Sequence, residues 1–172
     1  SDPVSLAGSL MPQSQHNIQF IDTPGDVVRV VQLTDTHLCR AHGGTLLGMD
    51  TDHSMQAVID LVKKERPELH LLLGTGDLSD GGARPAYDRL QVYFDQLSSD
   101  NYWLPGNHDR RDAMLAAASH PDRLCKEIRV AGWQVLLLDS QVPGQVGGTL
   151  GEGELALLDR ALLSAQEHEL HT

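Results

Sequence analysis

The sequence predicts a single α/β domain of 172 residues. Three units of strand, loop and helix follow one another between residues 27 and 119, and this alternation implies parallel strands joined by right-handed crossovers. The length is that of one ordinary domain, and the 40% of apolar residues is typical of a globular protein. Ligands of such sheets bind outside the carboxyl ends of the strands, so functional residues are expected at that edge.

The first unit begins at an apolar run from Val27 to Leu33, which predicts a strand buried on both faces rather than an edge strand. Thr51 is the predicted cap of a helix that keeps apolar residues at helical spacing until Pro67 stops it. Residues 1–25 show no sustained apolar period and are predicted to be a poorly structured lead-in. The domain is therefore expected to span residues 26–172.

The remaining elements follow the same logic. Strands are predicted at residues 69–73 and 101–104, each followed by a helix, the first near Pro85 and the second over residues 111–119. Residues 126–130 and 133–138 are predicted to form two strands joined at Ala131-Gly132, a hairpin pattern. A last helix is predicted over residues 152–164.

Charge and cysteine content narrow the classes of partner. The chain has 13 basic and 24 acidic residues, a net charge of −11, which argues against a nucleic-acid or anionic-membrane partner. An anionic substrate would need a bound cation in order to approach. With no apolar run long enough for a bilayer span and with only Cys39 and Cys125, a reduced, cytoplasmic location is expected.

Residues with metal-ligand chemistry follow each of the three predicted strands. Asp35 and His37 follow the first strand, Asp77 the second, and Asn107 with His108 the third. In extended backbone, residues two apart face the same way, so Asp35 and His37 could bind one cation together. An Asp-x-His triplet is expected about 0.9 times by chance in this composition, but Gly-Asn-His-Asp only about 0.001 times. The tetrapeptide therefore favours a site over the alternative of turns and helix caps.

The ordered set Asp35-x-His37, Gly76-Asp77 and Gly106-Asn107-His108-Asp109 resembles the calcineurin-like metallophosphoesterases. Within this family, the sequence around these motifs is similar to that of the bacterial class III cyclic nucleotide phosphodiesterases, from about Arg29 to the end. The resemblance implies an αββα sandwich of mixed sheets flanked by helices. The family pattern continues with a later His and a Gly-His-x-His block, so the expectation is an N-terminal portion truncated before the C-terminal strands.

The resemblance also implies roles for the site residues. Asp35, His37 and Asp77 are expected to bind one metal ion, and Asp77 and Asn107 a second, from the group Fe, Mn, Zn and Mg. A hydroxide between the two ions would attack phosphorus. His108 is the expected catalytic residue, and Asp80 is a candidate to orient it, although an ordinary turn explains Asp80 equally well. The residues expected to contact substrate are His37, Asp77, Asn107 and His108.

The function implied is a metal-dependent phosphodiesterase that hydrolyses 3′,5′-cyclic AMP to 5′-AMP. Two alternatives stay open: another phosphoesterase of this family, acting on glycerophosphodiesters or nucleotides, and a non-catalytic metal-binding or interaction scaffold with the same fold. Because the distal histidine ligands and strands do not follow, residues 1–172 are expected to be impaired in activity and to self-associate through uncovered apolar faces.

Overall fold

The computed structural model describes residues 16–172. Within this range the helices are α1 Thr51–Glu65, α2 Arg84–Asp95, α3 Arg111–Ala117 and α4 Glu152–Glu167, with a short 3-10 helix at Pro121–Leu124. The strands are β1 Ile18–Ile21, β2 Val30–Leu33, β3 Thr45–Leu46, β4 Met49–Asp50, β5 Leu71–Thr75, β6 Asn101–Leu104, β7 Glu127–Val130 and β8 Trp133–Leu136. No helix among these residues combines the length and the apolarity needed to cross a lipid bilayer.

The first sheet is the parallel one that the repeated units predict. Its order is β2-β5-β6, and both pairings are parallel, with α1 and α2 forming the two crossovers. The carboxyl ends of the three strands therefore lie along one edge. The loops that follow them contain every residue predicted to bind metal.

The second sheet has the order β1-β7-β8, with β1 parallel to β7 and β7 antiparallel to β8. The predicted hairpin is confirmed, and its turn residues Ala131 and Gly132 have φ angles of 42° and 79°. Positive φ at both central positions is what a two-residue turn needs to match the twist of its strands.

The elements pack in four layers. Helices α1 to α3 cover one face of the β2-β5-β6 sheet through a buried apolar cluster that includes Leu72 and Trp103. The other face, with Leu71 and Tyr102, packs against Ile128 and other apolar residues of the second sheet. Helix α4 lies on the far side of that sheet, where the side chain of Gln134 donates to its backbone. This arrangement confirms the predicted α/β class and the αββα order.

Two predictions near the N-terminus differ from the structure. Ile18–Ile21 form strand β1, although residues 1–25 were expected to be a lead-in; pairing with β7, rather than a local apolar period, creates this strand. Residues 1–15 of that segment lie outside the described residues. The predicted strand at residues 27–33 begins only at Val30, and it is an edge strand of the described sheet, with Val30 45% exposed.

Three details of the helices and loops also differ. Asp50, not Thr51, caps α1, because its carboxylate accepts from the backbone N–H of His53 at 2.9 Å. Helix α3 ends at Ala117 and α4 extends to Glu167. The Gly-rich loop after His37 contains a small hairpin, β3-β4. Each of its strands has only two residues, which is too short to produce a recognisable pattern in the sequence.

A buried ionic cluster ties the loop after β2 to helices α1 and α2. The carboxylate of Asp52, 2% exposed, accepts from Arg89 Nε at 2.9 Å, from the hydroxyl of Tyr93 at 2.9 Å and from the backbone N–H of Gly43 at 3.1 Å. Arg89 also donates to the carbonyls of Cys39 and Arg40. Burial raises the pKa of Asp52, but the hydrogen bonds from Arg89 and Tyr93 outweigh it and leave the pKa below 3.8.

Replacing Asp52 with Asn should lower the free energy of unfolding by about 2 kcal/mol at pH 7, because Arg89 would lose its charged partner. Urea unfolding measures this. Since the pKa of Asp52 is lowered in the folded state, its contribution is present above pH 4 and is lost as the pH falls through that lowered value, so the gap between the two proteins should narrow below about pH 4.

Asp60→Asn is the matched control, because Asp60 lies exposed on the same helix and, among residues 16–172, accepts only from Gln56. It should change the unfolding free energy by no more than about 0.5 kcal/mol. Equal losses of unfolding free energy in the two variants would show that the buried cluster stabilises the fold no more than an exposed side-chain contact does.

Candidate metal centre

The loops after β2 and β5 are joined by their backbones. Asp35 N donates to Gly76 O at 3.0 Å, His37 N to Asp77 O at 2.9 Å, and Leu38 N to Leu78 O at 3.0 Å. These bonds continue the pairing of the two strands beyond their ends. They place the first two predicted ligand motifs side by side.

The pairing of Asp35 with His37 was predicted from an extended backbone, but the backbone of the ligand residues is not extended. Asp35, His37 and Asp77 have φ angles of 54°, 43° and 49°. A positive φ is disfavoured for residues with a Cβ and is found where surrounding contacts impose it, often at functional sites. The expected pairing of Asp35 with His37 occurs, but the inter-loop hydrogen bonds produce it rather than a two-residue alternation.

Three side chains converge to form the candidate metal centre. His37 Nε2 lies 3.8 Å from Asp35 Oδ1 and 3.8 Å from Asp77 Oδ2, and one ligand atom from each of the three residues falls within 4.8 Å of the others. His37 and Asp77 are largely buried, while the Asp35 carboxylate is 63% exposed. Two carboxylates and one imidazole at these separations fit a divalent cation placed among them.

Asp80 orients the imidazole of His37. Its Oδ1 lies 3.3 Å from His37 Nδ1, so the Nδ1–H donates to the carboxylate and the lone pair of Nε2 faces Asp35 and Asp77. A carboxylate behind a histidine ligand is a common way to fix its tautomer and raise its basicity.

The predicted role of Asp80 toward His108 needs a correction of detail. The backbone carbonyl of Asp80, at 2.7 Å, accepts from His108 Nδ1. The Asp80 carboxylate is 3.7 Å away from that nitrogen. Asp80 thus contacts both histidines, His108 through its backbone and His37 through its side chain. The two imidazole rings themselves meet edge to face, with their centroids 4.9 Å apart.

The third motif forms a tight turn that Asp109 holds in place. Asp109 N donates to Gly106 O at 3.1 Å, which leaves Asn107 and His108 exposed at the centre of the turn. The buried Asp109 carboxylate accepts from the backbone N–H groups of Leu78, Ser79 and Gly106 and from the hydroxyl of Tyr87 at 2.7 Å. Asp109 therefore holds the turn in place from a buried position.

Asp77 connects the second loop to the third. Its Oδ1 accepts from the backbone N–H of His108 at 3.0 Å, while its Oδ2 faces His37. Asp77 and Asn107 line one cavity of about 200 Å³ together with Asp35. A carboxylate with one oxygen toward each of two neighbouring groups suits a bridging position, and the Asn107 amide adds an oxygen donor of the kind such cations accept.

The side chain of His108 is more exposed than that of His37, 42% against 19%. The pKa of His108 is raised above its ordinary value, first by the hydrogen bond to the Asp80 carbonyl and further by the charges of Asp77, Asp80 and Asp109, which together outweigh partial burial. Burial and the neighbouring Asp109 raise the pKa of Tyr87, so that this hydroxyl stays a hydrogen-bond donor.

The comparison with protein families shows which family the chain belongs to. The model of the calcineurin-like phosphoesterase family matches residues 28–152, which include all the residues of the candidate centre. The chain belongs to the calcineurin-like phosphoesterase family. The resemblance inferred from the three motifs is thereby confirmed, and members of this family use divalent metal ions.

Named relatives share most of the described chain. A 3′,5′-cyclic adenosine monophosphate phosphodiesterase CpdA of Pseudomonas aeruginosa is 43% identical over 143 residues, 83% of this chain and 53% of that protein. The CpdA of Escherichia coli K12 is 38% identical over 81% of this chain and 52% of its own length. A 3′,5′-cyclic-nucleotide phosphodiesterase of Nostoc sp. is 39% identical over 78% and 51%. The chain spans about half the length of these relatives.

Two supporting residues were missed by the sequence argument. Tyr87 holds Asp109 from helix α2, and Gln141 donates from the loop after β8 to the turn that contains Asn107. Tyr87 lies among the apolar positions of its helix, and Gln141 lies in an irregular loop, so neither follows a spacing rule. Their roles arise from contacts between segments distant in the chain.

Gly106→Ala should weaken metal binding, because a Cβ at residue 106 would lie 2.3 Å from Asp77 Oδ1 and 2.4 Å from Asp77 N. Neither atom can move without displacing the Asp77 carboxylate. We expect an affinity for Mn²⁺ at least about 10-fold lower in calorimetric titration, comparable to the loss of a supporting contact at a metal site.

Gly147→Ala is the matched control, since Gly147 lines the same cavity and a Cβ there would meet nothing within 4 Å. Its Mn²⁺ affinity should equal that of the unchanged protein. An unaltered affinity in Gly106→Ala would contradict the placement of the Asp77 carboxylate against the third loop.

Proposed function

We propose that this protein is a metal-dependent phosphodiesterase whose substrate is a 3′,5′-cyclic nucleotide, cyclic AMP above all, and whose product is the 5′-nucleotide. The observation that supports this most strongly is the convergence of His37 Nε2 with the carboxylates of Asp35 and Asp77, beside a cavity that Asn107 also lines. The names of the relatives supply the substrate class.

Two cation positions share Asp77 in this proposal. Asp35, His37 and Asp77 hold one ion, and Asp77 with Asn107 holds the other, with Fe, Mn, Zn or Mg as the candidates. When bound, such cations lower the pKa of water to make a nucleophile and neutralise the charge of the phosphoryl oxygens. The residues of this chain supply the position, because the inter-loop hydrogen bonds and Asp109 fix the donors before any ligand arrives.

His108 is the proposed proton donor to the leaving alkoxide. Its Nδ1–H donates to the Asp80 carbonyl, which can only accept, so Nε2 is the nitrogen available to substrate. The raised pKa of His108 increases the fraction of imidazolium at neutral pH. A cation beside the phosphate and an exposed imidazolium would both favour a bound phosphodiester anion.

The function is tested by incubating the purified chain with Mn²⁺ and with a panel of diesters: 3′,5′-cyclic AMP, other cyclic nucleotides and a glycerophosphodiester. We expect Mn²⁺-dependent conversion of cyclic AMP to 5′-AMP, detected by chromatography, with the highest turnover in the panel, although at the impaired rate expected for residues 1–172. Asp77→Asn should remove that turnover and the Mn²⁺ binding together, because it removes the shared carboxylate.

The control is Asp88→Asn, an exposed carboxylate on α2 that pairs only with Arg84 in the described structure. It should keep both properties. Turnover that is the same with and without Mn²⁺, or that survives Asp77→Asn, would contradict the proposal. Faster turnover of the glycerophosphodiester would move the protein to another substrate class of its family.

His108→Ala should reduce kcat for cyclic AMP by about 100-fold, within the usual range for loss of a general acid. Mn²⁺ affinity should change little, because His108 is not among the proposed ligands. A phosphodiester with a p-nitrophenolate leaving group needs less protonation, and its hydrolysis should fall much less. His53→Ala, an exposed histidine on α1, is the control.

Equal losses on both substrates would show that His108 does not donate the proton to the leaving group. A large fall in Mn²⁺ affinity would instead identify His108 as a ligand, contrary to the role proposed for it.

A further inference from the structure

We propose that Gln141 is a positioning residue for the second cation site: it fixes the turn that presents Asn107. This inference rests on the proposed metal-binding role of Asn107. Gln141 lies in the loop after β8, outside the three loops that contain the ligand motifs.

The side-chain amide of Gln141 bridges the two ends of the turn. Its Nε2 donates to Gly106 O at 2.8 Å and to Asp109 O at 3.0 Å. These two carbonyls flank Asn107 and His108 on either side. One NH₂ group with two hydrogen atoms can satisfy both acceptors, which no carboxylate or apolar side chain of the same size could do.

The other side-chain restraints on the turn act on its N–H groups, and Asp77 Oδ1 accepts from the backbone N–H of His108 at 3.0 Å. The Asp109 carboxylate bonds Gly106 N and the backbone of the second loop. Gln141 approaches the two carbonyls rather than the N–H groups, so it adds a side-chain restraint that the carboxylates of Asp109 and Asp77 do not provide. Asn107 itself is exposed and makes no side-chain hydrogen bond within the described structure, so its position depends on the restraint of its backbone.

Gln141 is itself anchored to the second sheet and α4. Its backbone N–H donates to Asp139 Oδ1 at 2.8 Å, and Asp139 N donates to Glu154 Oε2 at 2.9 Å. Glu154 is paired with Lys126 at 2.9 Å. The anchor therefore passes from α4 through a short loop to the turn of the first sheet, and Gln141 lines the same cavity as Asp77 and Asn107.

The test is a double-mutant cycle on Mn²⁺ affinity, measured by calorimetry and by electron paramagnetic resonance. Gln141→Met keeps the length of the side chain and removes both donors. We expect it to weaken the ion that Asn107→Ala also weakens, by about 10-fold, the lower end of the range for residues that orient metal ligands. Gln141→Met with Asn107→Ala should bind no more weakly than Asn107→Ala alone, because the turn matters only through Asn107.

Gln145→Met is the matched control, an exposed glutamine in the same loop. It should leave every affinity unchanged. Thermal unfolding of each variant distinguishes a loss of stability from a loss of metal binding. If Gln141 were merely structural, its replacement would lower the unfolding midpoint while both Mn²⁺ affinities stayed the same.

Three results would overturn the inference. The first is an unchanged Mn²⁺ affinity in Gln141→Met, and the second is a double variant in which the two losses of Mn²⁺ affinity multiply. The third is an Asn107→Ala variant that binds Mn²⁺ as tightly as the unsubstituted protein. The readout does not depend on turnover. A chain that binds Mn²⁺ as expected but does not hydrolyse cyclic AMP would contradict the proposed function and leave the role of Gln141 intact.

Discussion

The buried carboxylate of Asp109 is the interaction on which the geometry of the centre depends. It accepts three backbone N–H groups from two loops and the hydroxyl of Tyr87 from helix α2. A buried carboxylate is costly unless its oxygens are hydrogen-bonded, so this charge is stable only when both loops and the helix are in place. The requirement works in both directions: the loops satisfy the charge, and the charge fixes the distance between the Asp77 loop and the Asn107 turn.

The parallel sheet explains why these loops meet at all, and the strain in them explains why they need support. Three positive φ angles at Asp35, His37 and Asp77 each have a conformational cost. The hydrogen bonds between the first two loops oppose that cost locally. Gly106 contributes by lacking a Cβ, since only a glycine lets the third loop approach Asp77 this closely. Strained ligand residues are thus held by ordinary backbone contacts rather than by the ligand.

Much of this could be predicted from the sequence, because parallel strands and their following loops obey local rules. The three units, the hairpin at Ala131-Gly132 and the grouping of Asp35, His37 and Asp77 all follow from periodicity and chain order. Strand β1 could not be predicted, since its partner β7 lies more than 100 residues away. The contact of Asp80 with His37 and the support from Gln141 were missed for the same reason: both depend on how loops from different units pack, and residue spacing does not encode that.

The electrostatics of the chain also favour a cation as the group that would bind the proposed phosphodiester substrate. Net charge of −11 repels a phosphodiester at a distance, and the carboxylates of Asp35, Asp77 and Asp80 add repulsion at the centre itself. Their mutual repulsion is relieved most directly by a positive ion among them, and the same ion converts the region into one that accepts an anion. The side chain of His108, 42% exposed, lies beside this position, with its Nδ1 3.7 Å from the Asp80 carboxylate. In the proposed function, selection for a phosphate ester then depends on short-range contacts, so the position of Asn107 and His108 on their turn matters more than the overall charge of the protein.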